Sequence, residues 1–176
     1  MKLRILAVAV VALMTAGAGH AAVVDKGAYG FRLKSVEQIA APPAMVFKAI
    51  GEWGRWWSDE HTYSGKAANI TLPLAANGCL CEALPDRGSV RHGVVVLVIP
   101  NSMVRMEAAF GPLQDEGVSG AYTLSLKPKD GGTELTVTYN VGGARDSIIS
   151  AAPSVDAVLS EAAGRLKRYV ETGKPK

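Results

Sequence analysis

The sequence predicts an α+β sandwich in which a curved antiparallel sheet of about seven strands grips one long C-terminal helix. Three observations carry this. Between Pro153 and Thr172 the apolar residues Val155, Val158, Leu159, Ala162, Leu166, Tyr169 and Val170 recur at spacings of three and four, which stripes one face of a helix. From Ile70 to Val141 the period is two, the period of strands, broken by turn signals such as Pro85-Asp86-Arg87-Gly88 and Asp130-Gly131-Gly132. No other segment has so long a helical period, so the C-terminal helix must cover the sheet that the rest of the chain builds.

In order, residues 22–30 read as a flexible lead-in and Phe31 to Ala40 as the first strand, stopped by Pro42-Pro43. Ala44 to Ile50 is a short helix opened by Pro43 and ended by Gly51; a second helical turn holds Trp53, Trp56 and Trp57, all the tryptophans of the chain. Six strands follow, at Ile70 to Leu74, Gly78 to Leu84, Ser89 to Ile99, Met103 to Phe110, Ala121 to Lys127 and Thr133 to Val141. Their hairpin connections make the sheet antiparallel with one apolar face. Gly142 to Ala152 reads as a loop into the long helix, whose first turn accepts Pro153, whose last turn carries Lys167 and Arg168, and which Gly173 and Pro175 end.

The N-terminus reads as a cleavable secretory signal. Lys2 and Arg4 precede an apolar run from Ile5 to Met14, too short to span a bilayer, and the small residues up to Ala21 offer a cleavage site there. The expected compartment is the periplasm or the medium, with no membrane insertion after cleavage. Without Lys2 and Arg4 the chain has 17 basic against 16 acidic residues, a net charge of +1. That balance, with no basic cluster interleaved with aromatics, argues against nucleic acid as a partner. The length from residue 22 to 176 fits one domain, expected at residues 31–172 with a short tail at 173–176.

Several stretches, taken together and in this order, resemble the START-like (SRPBCC) superfamily, in its polyketide cyclase and heat-shock-protein ATPase activator-like branch. They are Ala41-Pro42-Pro43-Ala44-Met45-Val46-Phe47, then Trp53 with Arg55-Trp56-Trp57, Gly78-Cys79-Leu80-Cys81-Glu82, His92-Gly93-Val94, Gly111-Pro112-Leu113-Gln114 and Gly131-Gly132-Thr133-Glu134-Leu135. The resemblance covers roughly Phe31 to Thr172 and is that of a secreted bacterial member. It implies a helix-grip fold with a deep apolar cavity between sheet and long helix, used for lipophilic ligands. It implies no shared catalytic triad, so no residue role follows from it.

The candidate ligand-binding residues are Trp53, Trp56, Trp57, Cys81, Glu82, Arg91, His92, Phe110, Tyr122, Tyr139, Ala162 and Leu166. Large rigid rings suit a ligand mouth, but tryptophans also seal cores, and as chain neighbours Trp56 and Trp57 are not expected both to point inward. If the turn at 85–88 pairs Leu84 with Ser89, Glu82 faces Arg91 and Cys81 faces His92, on opposite sides of the sheet. Either Glu82 with Arg91, or Cys79, Cys81 and His92, then looks into the cavity, and one residue of loop length decides between them. Glu82 and His92 are the candidates for acid–base chemistry; the plainer reading is a surface ion pair and a hydrogen-bonded core histidine. Cysteines two apart on a strand have Cα atoms about 6.5–7 Å apart, at or beyond the edge of disulfide geometry, and with His92 they lack a fourth ligand for structural zinc, so small buried cysteines and no metal are expected, with their redox state left open. His61, beside Tyr63, falls near the expected mouth.

The residues thus point to a secreted module that binds a small hydrophobic ligand without a cofactor, as a monomer or a weak homodimer through the apolar run Val94 to Ile99. The alternative is a cyclase- or hydrolase-like enzyme using Glu82, Arg91 and His92. N-terminal sequencing of protein recovered from its own compartment should begin within two residues of Ala22; material that still starts at Met1 would overturn the signal reading.

Overall fold

The computed structural model describes residues 22–176, so the expected signal segment, 1–21, lies outside the described residues. Eight strands form one antiparallel sheet: β1 (Ala22–Gly27), β2 (Gly30–Ile39), β3 (Ile70–Thr71), β4 (Cys79–Ala83), β5 (Ser89–Ile99), β6 (Met103–Ala108), β7 (Ser119–Lys129) and β8 (Gly132–Gly142). Their spatial order is β1-β2-β8-β7-β6-β5-β4-β3. Among the described residues four α-helices complete the fold: α1 (Pro43–Gly51), α2 (Trp53–Trp56), α3 (Asp146–Ser150) and α4 (Ala152–Thr172). The architecture is the α+β helix-grip sandwich that the sequence predicts, with one strand more than expected.

The extra strand is β1. Residues 22–27 are not a loose lead-in but pair with β2, Ala22 opposite Lys34 and Gly27 opposite Gly30. Their burial does not alternate, so hydrophobic period could not reveal them. The expected loop before the last helix likewise contains a single helical turn, α3, too short to show a period.

Local chemistry sets the other boundaries. Pro42 and Pro43 open α1, Pro153 lies in the first turn of α4, and Gly173 closes α4 at φ 77°, its N–H bonded to the Tyr169 carbonyl. Asp130 and Gly131 both have positive φ, 49° and 74°, the backbone that a two-residue hairpin between β7 and β8 requires.

The inner face of the sheet is built by strict alternation. Phe31 and Leu33 of β2, Leu135, Val137 and Tyr139 of β8, Tyr122, Leu124 and Leu126 of β7, and Val104 and Met106 of β6 are all buried. Helix α4 lies across them with Ala162, Ala163 and Leu166 inward. One cation joins that buried face. Arg165, 7% exposed, donates from Nε to the Trp56 carbonyl (2.8 Å) and from Nη2 to the Trp57 carbonyl (2.9 Å), caring for the free carbonyls at the end of α2. At its far end α4 is tied to the β2–α1 corner, where Glu171 accepts the Ala40 N–H at 2.8 Å.

Leu166 has no exposed surface, whereas Arg168, two residues on, is exposed. Leu166→Ala should therefore lower unfolding free energy by about 2–5 kcal/mol, and Leu166→Asp should abolish stable folding. Arg168→Gln should stay within about 0.5 kcal/mol of wild type. Equal denaturant midpoints for the Leu166 and Arg168 variants would show that the helix face is misassigned.

Candidate ligand-binding site

The site begins with an irregularity in the sheet. β4 pairs with β5 as Ala83–Ser89, Glu82–Val90 and Cys81–Arg91, and then as Leu80–Gly93. His92 is the extra residue of a β-bulge. The turn pairs Ala83, not Leu84, with Ser89, and that one-residue difference sets Glu82, Val90 and His92 on one face of the sheet. His92 therefore points inward beside Glu82, Arg91 and Cys81 take the outer face, and the bulge re-registers the ladder beyond them. Neither expected set forms; the cavity side takes one member of each. A second register shift follows between Val95 and Leu97, where Val95 is buried and Val96 exposed.

Glu82 has no exposed surface and gathers three donors. Oε1 accepts the Ser64 N–H at 2.5 Å; Oε2 accepts the Tyr63 N–H at 3.2 Å and lies 2.8 Å from His92 Nε2. Burial alone would push this carboxyl up. The hydrogen bonds from Ser64, His92 and Tyr63 outweigh it and hold the group below its ordinary value. The Tyr63 ring leans over the imidazole with centroids 5.9 Å apart, so the loop that feeds Glu82 its donors also covers His92.

Beside this node lies a cavity of about 510 Å³. Its floor is Ile70, Leu80 and His92; one wall is Val155, Val158 and Leu159 of α4 with Ile148 and Ala151 before it. The other walls are Trp57, the segment Glu60 to Tyr63, and Phe110 to Leu113. Of the candidate residues, Trp57, His92 and Phe110 line this space, with Glu82 directly behind His92. His61 stands at its edge, 3.7 Å from Glu161.

The remaining candidates lie elsewhere. Arg91 is exposed on the outer face, and Cys81 is bonded there to Cys79. That disulfide decides the redox state that the sequence leaves open and corrects the expected spacing: the Cα atoms are 5.2 Å apart, closer than in a regular strand, where the ladder shifts register between Leu80 and Cys81. Trp53, Trp56, Tyr122, Tyr139, Ala162 and Leu166 fill the core beyond the cavity's end. Trp53 packs on Trp57 at 5.2 Å and on Tyr122 at 6.2 Å, and Tyr122 on Tyr139 at 5.9 Å, a run of rings that closes this half of the sandwich. Tyr139 donates its hydroxyl to the Ala108 carbonyl at 3.0 Å, and burial pushes it up to about 12. Trp56 and Trp57 are both buried, against expectation. The backbone turns extended at Trp57, so the two rings diverge, one indole N–H donating to the Ala49 carbonyl and the other to that of His61.

Among the described residues no three His, Cys, Asp or Glu side chains cluster as a metal site. The wall supplied by the first half of α4 was not among the candidates, although Val155, Val158 and Leu159 stood on the apolar stripe. The stripe does not say which end faces a filled core.

No protein-family model and no curated protein matches this sequence. Solved structures do resemble it in shape. A conserved protein of unknown function, EF2215 from Enterococcus faecalis, has a TM-score of 0.60 at 14% identity, covering 88% of this chain and 78% of its own. CalU16 from Micromonospora echinospora has 0.58 at 16% identity, covering 90% and 87%. The Aha1 dimer from Colwellia psychrerythraea has 0.52 at 17% identity, covering 81% and 98%. At such identities the likeness shows the fold alone.

The Glu82 network has a pH signature. Because its carboxyl is held below the ordinary 4.5, its contribution to stability is fully present above that pH and is lost as pH falls through the lower folded value. Glu82→Gln should cost about 2–4 kcal/mol at pH 7 and flatten the loss of stability below about pH 4.5. Denaturant melts from pH 7 to 3 measure both; parallel curves for wild type and variant would contradict the network.

Proposed function

We propose that this chain is an exported binding protein that holds one small lipophilic molecule in the cavity between α4 and the β4–β5 end of the sheet. The observation that carries the reading is the cavity itself: about 510 Å³, walled mainly by apolar and aromatic side chains, with His92, backed by Glu82, set into its floor. That is the character of a site whose affinity comes from buried apolar area, at roughly 25 cal/mol per Å², and whose few polar groups orient the ligand. The helix-grip fold supports it, since CalU16 and Aha1 share that shape. The N-terminal signal-like segment and the Cys79–Cys81 disulfide support export, because such cross-links persist in oxidising compartments.

The enzyme alternative draws a cavity acid or base from Glu82, Arg91 and His92. Arg91 lies on the opposite face of the sheet and Glu82 has no exposed surface, which leaves His92 alone of the three at the cavity wall. Binding is therefore the reading the geometry supports best.

Native mass spectrometry of the protein from its own compartment should show a retained small molecule. Val158→Trp, which builds bulk into the helical wall, should weaken binding of a lipophilic probe at least tenfold, about 1.4 kcal/mol, while the protein stays folded. Val96→Ser, exposed on the outer face, should leave binding unchanged. The carrier reading fails if Val158→Trp is folded and binds normally.

A further inference from the structure

The two ring nitrogens of His92 have different surroundings. Nε2 lies 2.8 Å from Oε2 of Glu82, a carboxylate that can only accept, so Nε2 must carry a proton, and in the neutral imidazole Nδ1 then keeps its lone pair. Among the described residues no protein group hydrogen-bonds to Nδ1, and it is not one of the buried side-chain atoms sealed away without a partner. His92 is only 7% exposed and borders the cavity, so that residual exposure gives onto the cavity. The floor thus offers an acceptor. Charge narrows the choice further. No Lys or Arg lines the cavity, Glu60 stands at its rim, and His61 is already beside Glu161. A carboxylate or phosphate head would meet no permanent cation and would sit near the Glu82 charge.

We propose that the cavity selects neutral lipophilic molecules bearing a hydroxyl, which donates to Nδ1 of His92, over both lipophilic anions and the corresponding ethers. This rests on the binding reading above and names its ligand class. Glu82 acts in it as a positioning residue, fixing which nitrogen is the acceptor. The lining rings of Trp57, Tyr63 and Phe110 suit an aromatic or ring-bearing body. An ether oxygen in place of the hydroxyl leaves Nδ1 without a donor and sets two acceptors together, a loss that a site built to bond a hydroxyl reads strongly.

The test uses three rigid probes of one shape, 4-phenylphenol, 4-methoxybiphenyl and biphenyl-4-carboxylate, titrated calorimetrically at pH 8. The phenol should bind at least tenfold tighter than either of the others. His92→Phe should erase the preference for phenol over ether while ether binding persists. If that variant does not fold, wild-type nitrogen NMR of the imidazole decides: Nε2 should carry the proton, and Nδ1 should shift with the phenol but not with the ether. Equal affinity for phenol and ether, tightest binding of the carboxylate, a proton on Nδ1, or an unmoved Nδ1 signal each overturns the proposal while leaving a lipophilic binding site intact. Failure of all three probes to bind overturns the binding reading itself.

Discussion

A carboxylate with no exposed surface sits where three segments of this chain meet, and the geometry of the site follows from satisfying it. An unpaired buried charge costs several kcal/mol, so Glu82 must collect donors from whatever surrounds it. The Tyr63–Ser64 backbone comes in from one side and His92 from the other. His92 reaches it because the turn pairs Ala83 with Ser89, which sets Glu82, Val90 and His92 on one face. The bulge at His92 needs Gly93 beside it, where a Cβ would stand 2.9 Å from both the Ala108 side chain and the Glu107 carbonyl. Sheet register, loop path and cavity floor are three views of one hydrogen-bond requirement.

The opposite half of the sandwich obeys a different constraint, packing density. Trp53, Trp56, Tyr122 and Tyr139 are large rigid rings with almost no exposed surface, and they interlock edge-to-face with Trp57 and Phe110 at their border. Arg165 fixes this border by holding the two carbonyls where α2 ends, and so fixes the tryptophans on either side of it. The long helix therefore has two unlike halves. Its second half completes a solid core, and its first half, with the α3 corner, walls a space.

This division explains what could be read from residues and what could not. The period of α4, the alternation of β7 and β8, and the Asp130-Gly131 hairpin are local patterns, each stated within a dozen residues of sequence. Edge strand β1 and the single turn α3 have no period to read. The site was half legible: Glu82, His92, Trp57 and Phe110 carry chemistry or bulk that draws attention wherever they stand. Their grouping was not, because one residue of loop length at the 85–88 turn decides which face each side chain takes, and the sequence does not fix it. The spacing expected for Cys79 and Cys81 assumed a regular strand, and β4 is contracted between them. Tyr122, Tyr139, Ala162 and Leu166 were rightly placed on inward faces, yet inward here means core.

The separation of the two halves of α4 bears on how such a chain tolerates change over generations. Wall positions such as Ile148, Ala151, Val155 and Val158 are only half-buried, so replacing them disturbs little of the close-packed interior. The rings and the Leu166 stripe that hold the sandwich together lie beyond the cavity's end, where substitutions in the wall do not reach, and distant substitutions act nearly independently. A lineage carrying this fold can change the lining of this cavity through a handful of side chains, without passing through forms that fail to fold. That freedom offers a physical reason for chains under 20% identical to keep one shape.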